Sequence, residues 1–107
     1  MTFNRSFKQK MQAGYVRPFR SRAYLQYVSS LQCPCGNPAD EAHHVIDCGL
    51  GGGMGTKPSD LATIPLCRTC HSMIHNNVAA WENVFGPQML WVYLTIEEAR
   101  ENGVIDI

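Results

Sequence analysis

The segments CPCG at residues 33–36 and CRTCHSMIH at residues 67–75 decide the fold of this chain. Between them lies the pair His43-His44, so the window from residue 33 to residue 75 contains all five cysteines and all four histidines of the protein. Thiolate and imidazole are the side chains that zinc and related ions prefer. The crowding of these side chains predicts a metalloprotein with a cysteine cluster that stabilises the fold and a histidine cluster that does chemistry.

The two cysteine pairs have spacings that suit a structural zinc site. Two residues separate Cys67 from Cys70, which is the usual interval, whereas one residue separates Cys33 from Cys35. Gly36 follows the first pair and lets the backbone turn so that amide groups point at sulfur, as in a zinc knuckle. We expect one zinc ion to be held by these four cysteines. The alternative is a set of buried apolar thiols.

Composition places the protein in a reducing compartment. The chain has no signal-peptide pattern and no apolar run long enough to cross a bilayer, which predicts a soluble, cytoplasmic protein without a membrane partner. An odd number of cysteines fits disulfides poorly, and in the cytosol cysteines more often bind metal. Cys48 lies outside both pairs, and we expect it to be a free thiol or to replace Cys33 as a ligand.

The charges are distributed unevenly although the formal net charge is zero. No acidic residue precedes Asp40, whereas six cations do: Arg5, Lys8, Lys10, Arg17, Arg20 and Arg22. We therefore expect residues 1–20 to form a basic arm for a polyanion, followed by a single domain over residues 21–107. The other interpretation of the arm is a solvated terminus with no partner.

A first helix is expected from Ser21, which can cap it, to about Ser30. Its apolar residues recur every three positions and define one face: Leu25, Val28 and Leu31. Arg20 and Arg22 stand at its start, where the helix dipole disfavours cations. Their position favours either a contact with phosphate or solvation at the surface.

Residues 40–46 and 59–66 are expected to form two short strands, linked by the glycine-rich loop 49–58. Adjacent strand residues point to opposite faces, so one of His43 and His44 can bind a metal while the other meets the substrate. Glu41 shares the face of His43 and is expected to hydrogen-bond it.

The loop is either a flexible link or a means of bringing backbone amides and Lys57 to phosphate. Asp60 is expected to hydrogen-bond the loop backbone. A helix from near Cys70 then carries His71 and His75 four residues apart on one face. With His43 they make three nitrogen ligands, which leaves positions open for water and substrate.

The tail is expected to provide helical support. Gly86-Pro87 interrupts a helix whose apolar face comprises Val78, Trp81, Val84 and Phe85. The apolar run 89–94 is expected to pack on the body or on a second subunit. Thr95 and Glu98 have the spacing of a capping box, which predicts a last short helix ended by Gly103.

Together these motifs resemble the HNH endonucleases, most of all small phage and prophage members of the RecA-dependent, recombination-enhancement type. The resemblance covers about residues 21–75. It rests on Cys-x-Cys-Gly, His43-His44, the segment GGMGTKPSDL at 52–61 and the segment IPLCRTCH-x-x-x-H at 64–75. The sequence departs from the family pattern in two places: Asp60 stands where the middle asparagine is expected, and the first cysteine pair is short.

The resemblance implies an α+β protein with a ββα-metal, treble-clef-like core, a zinc knuckle, a preceding helix and C-terminal helices. It implies that His44 is the general base and that His43, His71 and His75 bind one catalytic magnesium, manganese or zinc ion. Glu41, as the partner of His43, and Asp60, as a brace of the loop, are expected to support this site. The expected activity is hydrolysis of DNA phosphodiester bonds in phage or prophage recombination or processing, with a recombinase filament as a possible partner and the host cytoplasm as location.

The residues expected to contact DNA are all cations: Arg17, Arg20, Arg22, Lys57 and Arg68. Two other classes of function stay open. One is a non-catalytic zinc module that binds DNA through its basic arm. The other is an interaction protein that docks a partner through residues 89–94.

Overall fold

The structure is a computed structural model that describes residues 18–45 and 58–106. Within these ranges it has a two-stranded sheet and four helices, which confirms the α+β class. In chain order the elements are α1 (Arg22–Ser29), β1 (Glu41–His44), β2 (Thr63–Leu66), α2 (Arg68–Asn76), α3 (Val78–Phe85) and α4 (Gln88–Glu101). None of the described helices is both long enough and apolar enough to cross a membrane.

Several predicted features lie outside the described residues. These are most of the basic arm including Arg17, the fifth cysteine Cys48, and the glycine-rich loop up to and including Lys57.

The sheet is antiparallel and pairs Glu41 with Leu66, His43 with Ile64, and His44 with Thr63. All four residues of β2 are buried, because α1, α2 and α4 all contact this strand. Ile64 and Leu66 join a core that is shared with α2, α3 and α4. Because side chains alternate along a strand, β1 presents successive residues to α1 and to α2 in turn.

Helix α1 begins as predicted, since the Ser21 hydroxyl accepts a hydrogen bond from the Tyr24 N–H at 3.0 Å. The predicted apolar face is wrong in part. Tyr24 and Val28 are the buried residues, and they are packed with Ala99 of α4, while Leu25 and Leu31 remain partly exposed. The aromatic ring of Tyr24 sets the buried stripe, because residues four apart share a helix face.

Helix α2 begins at Arg68, two residues before the predicted start at Cys70. Cys67 occupies the cap position without providing a side-chain hydrogen bond. Asp40 supplies the cap instead, because its Oδ2 accepts a hydrogen bond from the Arg68 N–H at 2.7 Å. The Asp40 N–H also donates to the carbonyl of Leu66 at 2.9 Å.

The break at Gly86 is confirmed: α3 ends there, with Gly86 at a φ of 94°. Half of the predicted apolar face of α3 is wrong. Trp81 is buried and Phe85 packs against the core, but Val78 and Val84 are exposed. One turn of this short helix therefore supplies nearly all of its packing.

The predicted capping box is also wrong, because α4 runs without interruption from Gln88 to Glu101. Thr95 lies inside this helix, where its hydroxyl donates to the carbonyl of Trp91 at 2.6 Å. No glycine or proline occurs between residues 88 and 101 to break the helix. Gly103, at a φ of 71°, follows its end.

The apolar run 89–94 divides between the body and solvent. Val92 is buried and Trp91 packs on the core. Four other members of the run are exposed: Met89, Leu90, Tyr93 and Leu94.

Candidate functional site

The four predicted zinc ligands converge. The sulfur atoms of Cys33, Cys35, Cys67 and Cys70 all lie within 4.8 Å of one another. Cys35 Sγ lies 3.6 Å from Cys67 Sγ. Cys33, Cys67 and Cys70 are buried and Cys35 is exposed, and the four thiols are free. A group of this composition and spacing is suited to hold one zinc ion.

The first cysteine pair lies on a tight turn. The Gly36 N–H donates to the carbonyl of Cys33 and the Cys33 N–H donates to the carbonyl of Asn37, each at 2.8 Å. Gly36 has a φ of 97°, a backbone conformation that favours glycine. A hydrogen bond from the Asn37 amide helps to lower the pKa of the Cys35 thiol to about 7. The single-residue spacing is thus compatible with a knuckle whose amides face sulfur.

The pKa values of two buried thiols shift in the opposite direction to that of Cys35. Burial raises the pKa of Cys33 and also that of Cys70. A hydrogen-bonding contact from the indole of Trp81 acts on Cys70 in the opposite direction. A bound cation reverses the effect of burial, because metal ligation favours the thiolate.

His43 of β1 and His71 of α2 are neighbours across the sheet–helix junction, with ring centroids 5.0 Å apart. Burial lowers the pKa of His43 to about 4, and the charges of His71 and His44 act in the same direction. Glu41 contacts His71 through Oε1 and Nδ1, and not His43 as predicted. Helix α2 lies over this face of β1. The side chain of His71 on that helix is therefore in contact with the Glu41 carboxylate.

His75 lies one turn beyond His71 on the exposed side of α2. The two histidines line an open groove together with Ser72 and Asn76. Among the described residues, the cysteines are the group of three or more potential ligands whose donor atoms all lie within 4.8 Å of one another. The structure therefore brings His43 and His71 together, whereas His75 shares the groove with His71 and joins no close group of three ligands within the described ranges.

His44 lies on the opposite face of β1, towards α1. Its Nε2 is 2.8 Å from Oδ1 of Asp60, and the two side chains are 18% and 7% exposed. Oδ2 of Asp60 accepts a hydrogen bond from the Ser21 N–H at 2.8 Å. Burial acts to raise the pKa of Asp60, but the hydrogen bonds from His44 and Ser21 and the nearby charge of Arg20 lower it overall. Asp60 therefore holds His44. Its predicted hydrogen bonds to the glycine-rich loop concern residues that lie mostly outside the described ranges.

The cations that were predicted to contact DNA differ in their structural surroundings. Arg20 donates to the carbonyl of Pro58 and to Oδ1 of Asp60, so it ties the start of α1 to the segment before β2. Arg22 and Arg68 are exposed. Sequence reasoning assigned no role to the pairing of His44 with Asp60 or to the Asp40 cap. The sequence signal for these two contacts is limited to the acidic side chains of Asp60 and Asp40, which can accept hydrogen bonds.

The low pKa of His43 predicts a pH-dependent stability. The unfolded side chain titrates near 6.5 and the folded one near 4, so between these values the unfolded chain binds a proton that the folded chain does not. This contribution is fully present above pH 6.5 and is lost as the pH falls towards 4. Without added divalent cation, we expect the midpoint of thermal unfolding to drop by roughly 5 °C or more across this window.

The matched control is His43→Gln, which keeps a polar side chain of similar size and does not titrate. Thermal melts of both proteins between pH 4 and pH 7 provide the comparison. An equally steep fall in the variant would contradict the assignment to His43.

Comparison with known proteins identifies the family. Residues 6–103 match the family described as Protein of unknown function (DUF968), and the chain belongs to it. The chain is also similar to the Uncharacterized protein YdfU of Escherichia coli (strain K12), with 41% identity over 83 residues. These residues are 77% of this chain and 24% of the relative, so the chain spans about a quarter of the relative's length. No solved structure matches the chain.

Proposed function

We propose that this protein is a metal-dependent DNA endonuclease of the HNH type, acting in phage or prophage DNA recombination or processing. The observation that carries the proposal is the division of labour between the two faces of β1. One face brings His43 to His71 of α2, and the other brings His44 to Asp60. A metal-dependent nuclease of this type uses both a bound cation and a general base, and this strand supplies candidates for both.

The residues that would hold the catalytic cation are His43, His71 and His75. Their imidazole nitrogens suit zinc and manganese, and magnesium is compatible if waters complete its shell. The lowered pKa of His43 leaves its ring neutral and able to bind metal near pH 7. The contact between Glu41 and His71 Nδ1 orients that ring so that Nε2 is available. When bound, the cation supplies positive charge to a phosphate oxygen and to the leaving oxygen.

His44 is the proposed general base. Asp60 is ionised, so His44 carries its proton on Nε2 and donates a hydrogen bond to the carboxylate. The lone pair of Nδ1 is then free to accept a proton from the attacking water. As the water oxygen bonds to phosphorus, the bond to the 3′ oxygen breaks and this oxygen takes a proton from solvent. The products are the 5′-phosphate and 3′-hydroxyl ends that the HNH resemblance implies. Asp60 stabilises the imidazolium that forms on His44.

The four cysteines are proposed to bind one structural zinc ion. Three of them are buried in the core that also contains Ile64, Leu66 and Ile74. Zinc would therefore connect the knuckle, β2 and α2, and hold the histidines of α2 against β1.

DNA is the proposed partner, alone or on a recombinase filament. The exposed Arg22 follows Ser21, whose N–H is bound to Asp60 beside His44. Arg68 is exposed at the start of α2, the helix that carries His71 and His75. Both cations thus flank the proposed site, where they would contact phosphates on either side of the cleaved bond.

A nicking assay tests the proposal. Supercoiled plasmid and single-stranded DNA are incubated with the metal-stripped protein after addition of zinc for the cysteines and then magnesium, manganese or more zinc. We expect nicked or shortened products with at least one of these ions and none in the presence of a chelator. Intact DNA under all conditions, both naked and coated with a recombinase, would refute the nuclease.

A second candidate function is a non-catalytic zinc module that binds DNA. The observation that favours it is the contrast between the two ligand sets, since the cysteines converge within 4.8 Å and the histidines do not. This candidate predicts salt-dependent DNA binding without cleavage in the same assay.

Replacing Asp60 with asparagine is expected to lower kcat by about 10²-fold or more, because an amide does not hold the base in the same tautomer or stabilise its charged form. KM and zinc content should change little. The control is Ser21→Ala. This variant keeps the backbone N–H that donates a hydrogen bond to Asp60 but removes the hydroxyl that caps α1. That variant should lose about 1 kcal/mol of stability and keep most of its rate. Equal kcat for Asp60→Asn and wild type would exclude the pairing from catalysis.

A further inference from the structure

Trp81 of α3 is fully buried and belongs to the same core as Cys33, Cys67 and Cys70. Its Nε1 is buried and makes no hydrogen bond of ordinary geometry. The second tryptophan differs in this respect, because Trp91 Nε1 donates to the carbonyl of Phe85 at 2.9 Å. A buried N–H without an acceptor costs about 1–3 kcal/mol, so phenylalanine would suit the position better if the indole nitrogen had no use.

The group next to this N–H is the thiol of Cys70, whose pKa the indole acts to lower against the effect of burial. A neutral thiol is a weak acceptor. A metal-bound thiolate is a much better one, because hydrogen bonds to charged acceptors are shorter and stronger. The orphaned N–H therefore gains a partner when Cys70 is in its metal-ligating form.

The other cysteines explain why Cys70 needs a side-chain donor. Backbone amides act on the sulfurs of Cys33 and Cys35, which lie on or next to the knuckle turn. Cys70 lies in the first turn of α2, and no backbone amide of the described residues acts on its sulfur as one does on Cys33 or Cys35. An indole from the next helix supplies the contact that the backbone does not.

We propose that Trp81 is a positioning residue of the cysteine metal centre, whose indole N–H donates a hydrogen bond to the metal-bound sulfur of Cys70. The proposal rests on the zinc site of the proposed function. Such outer contacts orient metal ligands and reduce the electron density that the sulfur gives to the metal.

The test uses the full chain with cobalt(II) bound at the cysteines, and compares Trp81→Phe with Trp91→Phe. Removal of the N–H from Trp81 should weaken cobalt binding by about 10- to 100-fold and move the sulfur-to-cobalt charge-transfer bands to longer wavelength. Trp91→Phe should bind cobalt with wild-type spectra, although it also loses a tryptophan from the core. Identical bands and affinity in all three proteins would overturn the proposal.

A second measurement does not depend on the folding of a variant. In the wild-type chain with ¹¹³Cd at the cysteines and ¹⁵N-labelled tryptophan, the indole proton of Trp81 should show a scalar coupling to cadmium, and that of Trp91 should show none. The absence of coupling from Trp81 while cadmium is bound overturns this inference alone. Failure of the wild type and Trp91→Phe to bind either metal overturns the zinc site as well.

Discussion

Replacing His44 with alanine should slow DNA cleavage by about 10²–10⁴-fold, which is the usual contribution of a general base. The side chain lies on the α1 face of β1 and contacts Asp60, while the residues proposed to bind the cation lie on the other face. The variant should therefore keep its metal content and its fold. Initial rates of plasmid nicking, together with metal analysis and circular dichroism, provide the measurement.

Added imidazole serves as the control for this variant. If His44 acts as a base, imidazole in solution should restore part of the rate of His44→Ala and leave the wild-type rate unchanged. Cleavage by the variant at the wild-type rate would rule out His44 as the base, whatever the fate of the metal site.

Replacing Cys70 with serine should remove the bound zinc and most of the stability together. Structural zinc contributes about 10–16 kcal/mol in small zinc domains, whereas whole domains are stable by only about 5–15 kcal/mol. Cys70 is 2% exposed and is surrounded by the core. A serine there therefore also buries a hydroxyl among apolar groups, which lowers stability further. We expect zinc stoichiometry to fall from one to near zero and cooperative thermal unfolding to be lost.

Cys48→Ser is the matched control, because it removes the one cysteine outside the two pairs. It should retain one zinc ion and a wild-type melting temperature. Loss of zinc from Cys48→Ser, with retention in Cys33→Ser, would place Cys48 in the ligand set instead of Cys33. Unchanged zinc content in Cys70→Ser would contradict the cysteine centre.

Local patterns predicted the fold where local chemistry decides it. The Ser21 cap, the two short strands and the break at Gly86 follow from single residues or from a few neighbours. The error at Thr95 has the opposite origin. A threonine followed three residues later by a glutamate has the form of a helix start, but the residues before it already form a stable helix, and helix propagation costs less than a new start.

The site could be predicted only in part. Cysteine spacing was enough to predict the cluster, and strand alternation was enough to assign His43 and His44 to different faces. The partners of these side chains depend on how helices approach the sheet. Asp60 reaches His44 because Ser21 and Arg20 hold it, and those contacts span 39 and 40 residues of sequence. The placement of Trp81 against Cys70 likewise depends on the packing of two helices.

Asp40 joins three elements through two hydrogen bonds, from its N–H to the Leu66 carbonyl and from the Arg68 N–H to its carboxylate. The entry to β1, the last residue of β2 and the first residue of α2 are thus fixed to one another by the polypeptide itself. The cation proposed to bind between β1 and α2 would meet a frame that is already held in place, so binding would cost less conformational entropy. If the proposed nuclease site is correct, exchange of one divalent ion for another should accordingly leave the backbone in place, because a single aspartate preorganises the frame.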